Sequence, residues 1–161
     1  MYERYIFSSL TRIAPLDELP ITVKALPKEQ WATGDYVACE VNLHPLGFRH
    51  IELPTGRMME VMRGDLVVGA LGKRRATLEA TGTWEKVGED GIMHALTSAG
   101  LFGVRTSKAP LASTLIHLKY RGHVLFDDNK ATMRQFVSEI PHRSFTTPVV
   151  LIVGSSMSAG K

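Results

Sequence analysis

Residues Gly154, Ser155, Ser156, Met157, Ser158, Ala159, Gly160 and Lys161 place small side chains and two glycines ahead of a lysine. Such a stretch can wrap an oxyanion in backbone N–H groups. Gly160 lets the main chain approach closely, and the Lys161 ammonium can then reach the β- and γ-phosphates of a nucleotide. The preceding residues, Val149 to Val153, read VVLIV and lie between Pro148 and Gly154. A short apolar run without alternation predicts a strand buried on both faces, as in a parallel α/β sheet. In a loop of this kind a Ser or Thr after the lysine holds Mg²⁺ and a helix begins there. Those parts would follow Lys161, so on this reading the 161 residues are the front of a longer protein. The fragment alone is then expected to be inactive.

The spacing refines the motif. Gly154 and Gly160 are separated by five residues, one more than in the usual P-loop (Walker A) pattern. The longer form, G-x5-G-K, resembles the loops of dethiobiotin synthetases and of the amidoligases that make cobyric and cobyrinic acids. Gly154, Ser156, Gly160 and Lys161 match that form, whereas Ser155 replaces its usual Thr and Met157 a small or polar residue. The lysine near the loop's start in the partition-ATPase relatives is absent, since Ser155 and Ser156 occupy that region. The resemblance covers about a dozen residues and implies a nucleotide-binding class. It implies ATP (or GTP) with Mg²⁺, and an ATP-dependent ligase or synthetase that activates a carboxylate by phosphoryl transfer. A nucleotide-switched assembly or metallochaperone protein would share the loop without that catalysis. The competing view makes VVLIV a last strand and the rest a small-residue tail. The β-branched run, the two glycines and the lysine must then coincide by chance.

Other chemistry-bearing residues are sparser. Lys73, Arg74 and Arg75 follow Leu71-Gly72 at a predicted strand end and could form an anion site for a carboxylate or phosphate, or merely a solvated basic turn. The six histidines show no H-x-H or H-x3-H spacing. His117 and His123 could meet in space, but a zinc site needs three or four convergent ligands, so no metal site is expected. Met58, Met59 and Met62 could line an adaptable surface, but the simpler expectation is that some of them fill a core. Cys39 sits among alternating apolar residues and reads as an inert buried thiol.

The elements that must position these groups are mostly strands. Asp35 to Asn42 alternates, with Val37, Cys39 and Val41 on one face and Tyr36, Ala38 and Glu40 on the other. Asp65 to Leu71 is apolar on both faces, and Gly69 within it suggests a bulge or sharp coiling. Ala76 to Gly82, Leu101 to Thr106 and Thr114 to Tyr120 are further candidates, with Arg121-Gly122 as a turn. Tyr2 to Phe7 and Ile21 to Ala25 could be edge strands, and Pro27 to Trp31 one helical turn.

The predicted helix is Asn129 to Ile140, where Met133, Phe136, Val137 and Ile140 share a face and Asp127 or Asp128 caps the start. The expected fold is therefore mainly β, a small barrel or sandwich over residues 1–127. Residues 128–148 supply one helix and a linker, and 149–161 the first strand plus P-loop of an α/β nucleotide-binding domain.

Composition bounds the rest. A hydrophobic share of 44% against 22% charged residues is globular usage. A net charge of +3 is too mild to call for nucleic acid. No apolar run approaches a membrane span, no signal peptide is evident, and the single cysteine favours a reducing compartment. The expectation is a soluble cytoplasmic protein that binds nucleotide and a small-molecule substrate, with homo-oligomerisation left open. A third reading makes the β domain a stand-alone interaction or oligomerisation module.

Overall fold

The computed structural model describes residues 4–42, 49–75, 79–110, 114–139, 144 and 146–154. In chain order the strands are β1 (Tyr5–Phe7), β2 (Thr22–Lys24), β3 (Tyr36–Val41), β4 (His50–Glu52), β5 (Met58–Glu60) and β6 (Leu66–Leu71). They continue as β7 (Lys73–Arg75), β8 (Ala80–Thr83), β9 (Ile92–Ala95), β10 (Leu101–Lys108), β11 (His117–Phe126) and β12 (Asn129–Lys130). The fold is mainly β, and the helical pieces among the described residues are 3-10 turns of three or four residues. None is long and apolar enough to cross a membrane.

Five strands pair in a closed ring. β6 pairs antiparallel with β3, β3 with β11, β11 with β9 and β9 with β10; β10 then returns to β6 in parallel. The free half of that β6 edge takes β1, also in parallel. β2 and β12 add to β11, the β7–β8 hairpin extends β10, and β4–β5 is a separate hairpin.

The alternation of β3 divides two cores. Val37, Cys39 and Val41 face the inside of the ring with Val67, Leu71, Met93, Ala95, Phe102 and Leu118. Tyr36 and Ala38 face outward with Val68, Ala70 and Val124, beneath Ala14, Leu16 and Ala131. The irregular proline-bearing N-terminal stretch thus serves to cover one outer wall of the barrel. Gly69 forms no bulge, because its pairing with Val37 stays in register. It is a point of close approach instead: a Cβ there would lie 2.3 Å from the Gly100 carbonyl oxygen and 2.5 Å from the Phe102 ring.

Three expectations are corrected. Asn129 to Ile140 is not a helix, although Ile140 itself lies outside the described residues. Asp127 and Asp128 adopt positive φ angles of 48° and 59° and form a two-residue hairpin loop joining β11 to β12. Only Met133–Phe136 turns, as 3-10, which already brings Met133 and Phe136 onto the outer core, while Val137 is exposed. Secondly, Arg121-Gly122 is no turn. β11 runs through it, and Gly122 makes room for β2, since a Cβ there would lie 2.7 Å from the Lys24 backbone.

Thirdly, Val149–Val153 forms no strand. These residues take no regular structure and are 70–88% exposed, outside both cores. Among the described residues no single helix leads into an α/β sheet; a run buried on both faces needs flanking strands and covering helices, and the barrel strands are paired with one another.

Candidate functional site

Of the candidate phosphate loop, Gly154 is exposed and follows the exposed Val149–Val153 segment. Ser155, Ser156, Met157, Ser158, Ala159, Gly160 and Lys161 lie outside the described residues. The loop's candidacy therefore rests on its sequence pattern.

The basic tripeptide forms β7, at the end of the strand order, where successive side chains alternate faces. Lys73 pairs with Glu85 at 2.6 Å. That hydrogen bond, with the attraction between the two charges, holds the Glu85 carboxyl below its usual range. Arg74 turns to the other face, pairs with Glu79 and donates to the Leu96 carbonyl at 2.7 Å. Arg75 is exposed and makes no ion pair among the described residues. Two of the three cations are thus already engaged.

The histidines assemble differently from the expected pair. His117 sits directly across from His94 on β9, with ring centroids 4.8 Å apart. His94 accepts a hydrogen bond at Nδ1 from the Arg105 backbone N–H, 3.3 Å away. Burial, with His117 and Arg105 nearby, pushes its pKa down to about 4, so the ring is neutral near pH 7. Among the described residues no group of three or more His, Cys, Asp or Glu could hold a metal; His44 and His142 lie outside them. Cys39 is fully buried with its Sγ 3.8 Å from Met93 Sδ, and burial drives its thiol pKa well up. Met58 and Met62 are exposed on or beside the β4–β5 hairpin, and Met59 is half-buried there. The methionine inside the barrel is Met93.

His123 joins a cluster that sequence reasoning missed. At one end of the barrel, Tyr120 Oη lies 2.6 Å from His123 Nδ1 and accepts from the Leu26 N–H at 3.1 Å. His123 Nε2 lies 3.2 Å from Asp35 Oδ2, at ion-pair distance but without hydrogen-bond alignment. The same Asp35 oxygen accepts from Lys130 Nζ at 2.7 Å and from the Ala32 N–H at 2.8 Å. Trp31 covers the group, its ring 4.4 Å from Tyr120 and 5.4 Å from His123 between centroids.

Burial works to raise the Asp35 pKa. His123, Lys130 and the Ala32 N–H outweigh it and hold the carboxyl below its usual range. Burial raises the Tyr120 hydroxyl instead, the reverse of what an activated nucleophile needs. Asp35 and His123 are 1% and 0% exposed. The cluster ties β3, β11, β12 and the 26–34 segment together rather than presenting reactive groups. The signal that could have found it is a histidine within the apolar run that ends β11, because a buried imidazole needs polar partners.

Comparison with protein-family models, curated proteins and solved structures finds no match.

Proposed function

We propose that this chain belongs to an ATP-binding protein whose phosphate loop is Gly154–Lys161. The β barrel would serve substrate selection or assembly, and ATP or GTP with Mg²⁺ would be the cofactor. The spacing of Gly154, Gly160 and Lys161 after an apolar β-branched run carries the reading. The exposure of Val149–Val153 supports it: five apolar residues that pack on neither core suit a strand belonging to another sheet. Within this reading the likeness to dethiobiotin synthetases and cobyric-acid amidoligases favours a ligase or synthetase. A nucleotide-switched metallochaperone gains no support from the described histidines and carboxylates.

The test is calorimetric titration of the intact protein with ATP and Mg²⁺, alongside Lys161→Ala. Saturable binding that the substitution abolishes is expected. Binding undiminished in Lys161→Ala would overturn the assignment. The module reading, favoured by two barrel cores that draw on none of residues 137–139 and 146–154, would then lead.

A further inference from the structure

β10 carries an irregularity that β8 lacks. Arg105 pairs with Gly82 and Ser107 with Thr81, leaving Thr106 as the extra residue of a bulge. A bulge re-aims side chains. Here it brings two neighbouring hydroxyls to one threonine: Thr81 Oγ1 lies 2.8 Å from Thr106 Oγ1 and 3.3 Å from Ser107 Oγ. On the other side of β8, Arg75 is the direct partner of Thr81, so both side chains stand on the same face of the three-strand sheet. Lys73 lies two residues before Arg75 on that face but is held by Glu85, whose carboxylate also contacts Thr83. One half of the face is therefore self-neutralised. The other half combines three hydroxyls with a guanidinium that has no ion-pair partner among the described residues.

We propose that Arg75, Thr81, Thr106 and Ser107 form a surface site for an oxyanion, a phosphate or carboxylate group of a small molecule. The guanidinium presents a planar fork that can bind two oxygens at once. Each hydroxyl can turn its proton from a neighbouring hydroxyl to the ligand, since its rotor is free to do so. Of the basic tripeptide, Arg75 alone is available; Lys73 and Arg74 hold the β7–β8 hairpin through Glu85 and Glu79. The site does not depend on the phosphate loop, and the two can fail separately.

The test follows backbone amide shifts of the full chain during titration with inorganic phosphate and, separately, with succinate, at constant ionic strength. Saturable shifts confined to Arg75, Thr81, Thr106 and Ser107 are expected, about tenfold or more weaker in Arg75→Gln and unchanged in Lys73→Gln. Saturation by phosphate alone assigns a phosphoryl ligand, and saturation by both assigns a broader oxyanion site. Shifts that do not saturate, that spread over every exposed cation, or that survive Arg75→Gln would mean an adventitious ion only and overturn the proposal.

Discussion

Tyr120 Oη and His123 Nδ1 stand 2.6 Å apart although the residues are three positions apart on one strand. Regular alternation would send them to opposite faces. The register between β11 and β3 slips between Tyr120 and Gly122, so Arg121 is an extra residue and the parity of the strand reverses. Leu118 and Tyr120 before the bulge, and His123 after it, therefore turn toward the inner core, and Val124 toward the outer one. A single inserted residue makes the buried cluster.

Tyr120→Phe removes the hydroxyl that serves both His123 Nδ1 and the Leu26 N–H. Leaving buried polar groups unpaired costs about 1–3 kcal/mol. Urea unfolding should show a loss in that range with an unchanged m-value. A loss under about 0.5 kcal/mol would mean both groups find other partners.

Asp35→Asn removes the charge facing Lys130 and His123, and a loss of about 2–4 kcal/mol at pH 7 is expected from breaking a buried pair. The pH dependence has a definite sign. The folded pKa lies below the ordinary value of 3.8, so the unfolded chain binds the proton more readily. The stabilisation is complete above that ordinary value and is lost as pH falls through the folded pKa. Urea midpoints measured down the acid range should fall more steeply for the native protein than for Asp35→Asn. Parallel curves would show that the carboxylate is not held by its partners.

His94 is a second source of acid sensitivity, over a higher range. Its pKa falls from 6.5 unfolded to about 4 folded, so stability is lost progressively as pH drops from 6.5 toward 4. The ring proton resonances of His94 should titrate near 4. A midpoint near 6.5 would mean that neither burial nor His117 and Arg105 acts on the ring.

Gly69→Ala drives a methyl group onto the Gly100 carbonyl and the Phe102 ring, where β6 meets β10. Backbone cannot yield there without opening the parallel pairing that closes the barrel. A loss of about 3 kcal/mol or failure to fold is expected, at the upper end of overpacking. A thermal midpoint within a few degrees of the native one would show that the two strands can separate slightly at this point.

The sequence by itself determined the strands whose burial pattern is local. β3 and β6 lie where alternation and continuous apolarity place them, and Cys39 is the buried thiol its neighbours imply. It also carries the main case for the proposed phosphate loop, because that chemistry is written in adjacent residues.

Tertiary structure decided everything that needed distant partners. Met133 and Phe136 show helical spacing, yet one 3-10 turn brings both onto the outer core, and the Asp127-Asp128 hairpin gives the preceding residues to β12. Gly122 reads as a turn until β2 is seen to need its missing side chain. Asp35 and His123 meet only because β3 and β11 are neighbours and a bulge reverses one of them. Lys73, Arg74 and Arg75 look alike in the chain; the register of β7 against β8 and two glutamates separates them into two structural cations and one open one. A local pattern records which residues prefer burial or a turn, whereas pairing order and register depend on contacts between residues far apart in the chain.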